Sequence, residues 1–208
     1  MRNMVNFSAT IAFVACAAYA QAIGAADAAG SGYRVGDRLT EKPNTPATTK
    51  PQGAQGEFKL TNWDELVPRD WNPLKDLQDL NLGFMQDGDP RAQQALDRLK
   101  KAWDSAPGEA SMDNQRIRIA GFVVPLEGES GRLREFLLVP YFGACIHVPP
   151  PPANQIIHVT SAKPIKGVRA MDPLWVSGLL HIASKNTSMG TSAYRMEADS
   201  VAPYRETR

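Results

Sequence analysis

Apolar residues recur along this chain at two different periods. Between Arg91 and Trp103 they fall at helical spacing, as Ala92, Ala95, Leu96, Leu99 and Trp103, while Arg98, Lys100 and Lys101 face elsewhere. Asp89 offers an N-cap, Pro90 a first helical position, and Pro107-Gly108 a stop, so the pattern predicts one amphipathic helix. From Arg116 the period changes to two. Ile117, Ile119, Gly121 and Val123 alternate with Arg118, Ala120, Phe122 and Val124, and residues 126–131 supply a turn. Further strand-like runs cover 133–148, interrupted near Pro140 and Gly143, then 155–160, 174–182 and 193–201. Five such runs with Gly and Pro at the bends predict a mainly β fold: a small, curved antiparallel barrel of the OB type with one amphipathic N-terminal helix. A β-sandwich is the alternative, because alternation does not determine closure. Gly178, inside the run from Trp175 to Leu179, permits a tight bend.

Upstream of the helix, Trp63, Leu66, Val67 and Trp71 form an apolar cluster punctuated by Pro68. It reads as a short helical turn whose two Trp are packing anchors. No such cluster exists between residues 21 and 56, a stretch rich in Ala, Gly, Pro, Thr and Lys that cannot bury enough surface to offset its ordering entropy. Composition therefore assigns 21–56 to a disordered leader or tether and 57–208 to a single β-rich domain.

Residues 1–20 combine Arg2, the apolar run from Thr10 to Ala18 and the small-x-small site Ala18-Tyr19-Ala20, which is the pattern of a secretory signal peptide. The run is shorter than the roughly 20 residues that span a bilayer. Val14-Ala15-Cys16 gives a second reading, a lipoprotein anchored to the membrane through acylated Cys16. Either way the protein is expected in the periplasm or outside the cell. Losing Arg2 brings the 23 basic residues level with the 22 acidic ones, so there is no charge bias toward nucleic acid or anionic lipid. Of two cysteines, export leaves only Cys145, and an unpaired thiol in an oxidising compartment needs an explanation.

That cysteine opens the candidate chemistry. Cys145 and His147 are two residues apart, and on a strand they would share a face. If this strand paired with the next one, setting Ile157 and Val159 against Ile146 and Val148, His158 would join them. One sulfur and two nitrogens with an open position suit zinc, or alternatively copper. His181 is a conditional fourth ligand. Pro149 to Pro152 favour a polyproline II strut of roughly 12 Å, at about 3.1 Å per residue. Asn154 and Gln155 beyond it could orient an imidazole or a bound water, or cap a stiff turn. A rival chemistry makes Cys145 a nucleophile, His158 its base and Asn154 the orienting group of a Cys/His-dependent hydrolase, although no glycine-rich helix start is present to lower the thiol pKa. Met171, Met189 and Met196 read as core residues.

The string from Gly143 to Gln155, Gly-Ala-Cys-Ile-His-Val followed by four Pro and Ala-Asn-Gln, is joined by Arg118-Ile119-Ala120-Gly121-Phe122-Val123-Val124-Pro125-Leu126-Glu127 and by Trp63 and Pro68. Together they resemble an uncharacterised exported bacterial family known only as a domain of unknown function, over residues 57–205. The resemblance implies a secreted protein or lipoprotein, often encoded beside ABC-transporter components, with Cys145, His147, Asn154 and Gln155 at matching positions. The combined expectation is a non-enzymatic periplasmic accessory protein that binds zinc and works with an ABC-type transport system or another envelope protein. The alternatives are a protein-interaction module of such an assembly that binds no metal, and the hydrolase.

Overall fold

The computed structural model describes residues 32–39, 57–75, 90–127 and 132–205. All of them belong to one compact unit spanning 31–208. The signal-peptide and Cys16 readings, most of the leader, the N-cap Asp89 and the turn at 128–131 lie outside the described residues.

The elements in chain order are β1 (Lys59–Leu60), α1 (Pro90–Asp104), β2 (Gln115–Glu127), β3 (Arg132–Val139), β4 (Ile157–Lys166), β5 (Pro173–Thr187) and β6 (Gly190–Pro203). Their sheet order is β1-β2-β3-β4-β6-β5, and β5 returns to pair with β2. Five strands thus close a barrel. β4 and β6 run parallel while the other barrel pairs are antiparallel, which is the OB arrangement, and the single closed sheet removes the sandwich alternative.

Closure depends on β2 serving two neighbours. Gln115 to Phe122 pair with β5, and Phe122 to Glu127 pair with β3. Gly121 sits where these pairings meet, and a Cβ there would lie 2.7 Å from Leu138 Cγ and 2.9 Å from the Val139 carbonyl oxygen. The alternation has its expected effect: Ile117, Ile119, Val123, Phe136, Leu138, Ile157 and Val159 point into one buried core. β5 breaks register at Ser177/Gly178, and a Cβ on Gly178 would lie 2.2 Å from the Glu197 carbonyl oxygen. The bend foreseen at this glycine is therefore a β-bulge pressed against β6.

Short segments plug the barrel. Residues Trp63–Leu66 form a 3-10 turn closed by reciprocal bonds between Asn62 and Glu65, a capping box. Trp63 donates from Nε1 to the Ala120 carbonyl at 2.7 Å, so its anchoring role stands. Tyr194, from β6, donates to the Leu66 carbonyl at 2.7 Å and accepts from the Glu109 amide at 2.6 Å. α1 buries Ala95, whereas Leu96, counted with the apolar stripe, is 59% exposed. No helix among the described residues is long and apolar enough to cross a membrane.

Residues 32–39 depart from the expected leader. Tyr33 lies edge-on to Phe122 at 5.2 Å and stacks with Phe142 at 6.2 Å, while Leu39 packs against both Met171's cluster and the cluster of Ala120, Trp175 and Tyr204. Composition averaged over 21–56 hid this short run, whose Tyr33 and Leu39 cover the outer face of β2 and β3 while Val35 rests on Gly143.

Candidate functional site

The strand expected through Val148 stops at Val139. Residues 141–148 form a tight turn instead, with Gly143 at φ +88 and Cys145 at φ +64. The amides of Ile146, His147 and Val148 all donate to the Gly143 carbonyl, at 3.3, 2.8 and 3.2 Å. Gly143 in turn donates its N–H to Met171 Sδ at 3.0 Å, and a Cβ on it would lie 3.1 Å from Val35. Glycine is therefore required here both by φ and by space. The neighbouring segment completes the frame: Phe142 donates to the Asp37 carbonyl and Gly36 to that of Phe142, each at 2.9 Å.

This turn separates the residues that strand phase had grouped. Cys145 is half-buried against the Phe122 and Met171 cluster, while Ile146, 40% exposed, and His147 stand at the surface. β4 pairs with β3, setting His158 beside Leu137, and not with residues 146–148. His158 lies on the outer side of β4, 4% exposed, with Nε2 2.6 Å from Glu135 Oε1. His181 is on β5 opposite Arg195. Among the described residues no three His, Cys, Asp or Glu gather into a group that could hold a metal ion. Cys145, His147 and His158 do not form such a group. The strand expected through Val148 carried period-two alternation across Gly143, where a left-handed turn has the same sequence pattern.

Asn154 and Gln155 bond to distant main-chain carbonyls. They lie with Ala153 in a buried 3-10 turn after the prolines. Gln155 donates from Nε2 to the Trp63 carbonyl at 2.7 Å, and Asn154 from Nδ2 to the Pro107 carbonyl at 3.2 Å. Both amides tie the proline arm to the plug of the barrel. Pro152 is in polyproline geometry at φ −54 and ψ 148, and Gly190 leaves room for Pro150, which a Cβ would approach to 3.0 Å. The arm thus packs by Pro150 beside Gly190 and leads at Pro152 into the buried turn of Asn154 and Gln155.

Burial pushes the Cys145 thiol up to about 12. It stays protonated at neutral pH, which is the state of a packing thiol and the opposite of an activated nucleophile. A cleft of about 730 Å³ beside the plug is lined in part by groups that bond one another. Lys59 pairs with Glu65 at 2.5 Å, and Glu109 accepts both from the Ser111 amide and from its hydroxyl, which holds the Glu109 carboxyl below its ordinary range.

The family model for DUF3299, a protein of unknown function, matches residues 63–203. The chain belongs to the DUF3299 family. The crystal structure of a DUF3299 family protein from Pseudomonas aeruginosa PAO1 is 33% identical to it, covers 70% of this chain and 95% of its own, and superposes with a TM-score of 0.53. No curated protein matches. The DUF3299 match takes in the barrel, the turn and the proline arm, and it begins at Trp63, after the segment 32–39 that packs on the turn. Sequence reading missed that segment and Glu135; the alternation of Tyr33, Val35 and Asp37 with Arg34 and Gly36 was the available signal for the first, and nothing marked the second.

Proposed function

We propose that this DUF3299 domain is a non-enzymatic protein-interaction module of an envelope assembly, exported by residues 1–20, with an ABC-type transport component as the partner that the family resemblance suggests. The observation that carries this reading is the turn at 143–148. Its backbone is fixed by three amides on one carbonyl, Phe142 beside it is bonded to Gly36 and Asp37, and it lifts Ile146 and His147 into solvent while keeping Cys145 packed below. A rigid loop that presents an apolar and an aromatic polar side chain loses little entropy on docking. The protonated, half-buried thiol supports a packing role for the cysteine rather than a chemical one.

Replacing Ile146 by a photo-crosslinking amino acid in the full chain, in the native host, tests the proposal. The expected product is an adduct with a transporter component, absent when the crosslinker is moved to Leu96 on α1. Equal adducts from both positions, or none from position 146, would reject the reading. So would near-stoichiometric zinc or copper on the purified protein that disappears in Cys145→Ser, since that restores metal binding as the role of the cysteine.

A further inference from the structure

Beside the turn, two guanidiniums have no ion-pair partner among the described residues. Val35, 53% exposed, rests on Gly143 next to Ile146, and Leu39 extends the same segment to Trp175 and Tyr204. Arg34 is exposed there, and among the described residues no carboxylate lies within ion-pair reach of it; Asp37 Oδ2 accepts only from the Arg34 amide, at 2.7 Å. At the far end, the Arg118 guanidinium lies 4.8 Å over the Trp175 ring, also with no carboxylate in reach among the described residues. Its neighbour Arg116 differs, because Asp199 neutralises it at 3.0 Å. Between the ends, Arg38 has only a 3.8 Å contact with Asp64, whose side chain is 91% exposed, a pair of little energetic weight. An indole under a guanidinium fixes its direction without neutralising its charge.

We infer that this surface, from Ile146 and Val35 across Leu39 to Arg118, receives an acidic segment of a protein partner that also carries apolar side chains. The inference rests on the proposed interaction function and names the chemistry of the partner. An apolar side chain covers Val35 and Ile146, and carboxylates pair with Arg34 and Arg118. Charge steers such a segment to the surface, and the apolar contact holds it there.

Binding of fluorescent peptides to the full mature chain tests this. The probes are an eight-residue peptide of alternating Glu and Leu, its Lys/Leu counterpart, and a Glu/Ser peptide with no apolar side chain. The Glu/Leu peptide is expected to bind best, to weaken as salt is raised, and to lose about tenfold in affinity in Arg34→Glu and in Ile146→Asp. Arg118→Gln, which removes the charge and leaves a polar side chain, should weaken binding in the same sense, and Lys100→Glu on α1 should not. Equal binding of the Lys/Leu peptide, or indifference to Arg34→Glu, overturns the inference. Binding to phosphatidylglycerol vesicles without binding of the Glu/Leu peptide overturns it too, in favour of a membrane surface. If the peptide fails while the Ile146 crosslink to a transporter component persists, the interaction function stands and only the partner chemistry is wrong.

Discussion

At Cys145 one side chain connects backbone geometry with titration. Its φ of +64 is uncommon for a residue with a Cβ, and the amides converging on Gly143 hold it there, pressed into the Phe122 cluster. Burial raises the thiol from 9.0 to about 12, and it raises the Tyr194 hydroxyl from 10.0 to about 12. Both groups then bind their protons more tightly in the folded state than in the unfolded one. Their contribution to stability is complete below pH 9, where both states are protonated, and it is lost as pH climbs through 9 and 10 toward 12. Urea unfolding from pH 8 to 11 should therefore show falling stability. In Cys145→Ala the part of the fall that begins near pH 9 should vanish while the part due to Tyr194 remains. A slope unchanged by Cys145→Ala would mean that the thiol is not buried in solution.

At the scale of elements, the strands were legible because burial alternates along them, and the turn was not. Ile117 to Val123 and Ile157 to Val159 mark inner faces by period two alone. Between Val139 and Ile157 the decisive information is a pair of left-handed residues and the hydrogen bonds of Asn154 and Gln155 to distant carbonyls. Neither leaves a periodic trace, so His147 and His158 looked adjacent in phase when one stands in an exposed turn and the other is buried on β4 beside Leu137. The two classes of feature should respond differently to mutation. Gly178→Ala forces a Cβ onto the Glu197 carbonyl and should destabilise the barrel by about 1–3 kcal/mol or more, read as a lower urea midpoint. Gln155→Leu keeps the volume but leaves the Trp63 carbonyl without its donor, and should cost about 1–3 kcal/mol. Hydrogen exchange would separate them: Gln155→Leu should accelerate amides of residues 143–156 beyond the rest, whereas Gly178→Ala should accelerate the β5 and β6 amides.

For the whole molecule, the open question is where the cooperative unit begins. Composition puts that boundary at residue 57, and the family match starts at Trp63, yet residues 32–39 share aromatic contacts and main-chain bonds with the turn. Without them, Phe122, Phe142 and Trp175 would lose cover on the outer face of the barrel, and Gly36 and Asp37 would no longer engage Phe142. Tyr33 and Leu39 alone should contribute about 2 kcal/mol or more by burial. A chain starting at residue 57 should therefore melt lower than one starting at residue 32, and its amides at 141–148 should exchange faster. If the segment were only a tether, the two chains would melt together. The comparison also bears on function, because Val35 forms part of the surface beside Ile146: the shorter chain should bind the Glu/Leu peptide more weakly at a temperature where both chains are fully folded.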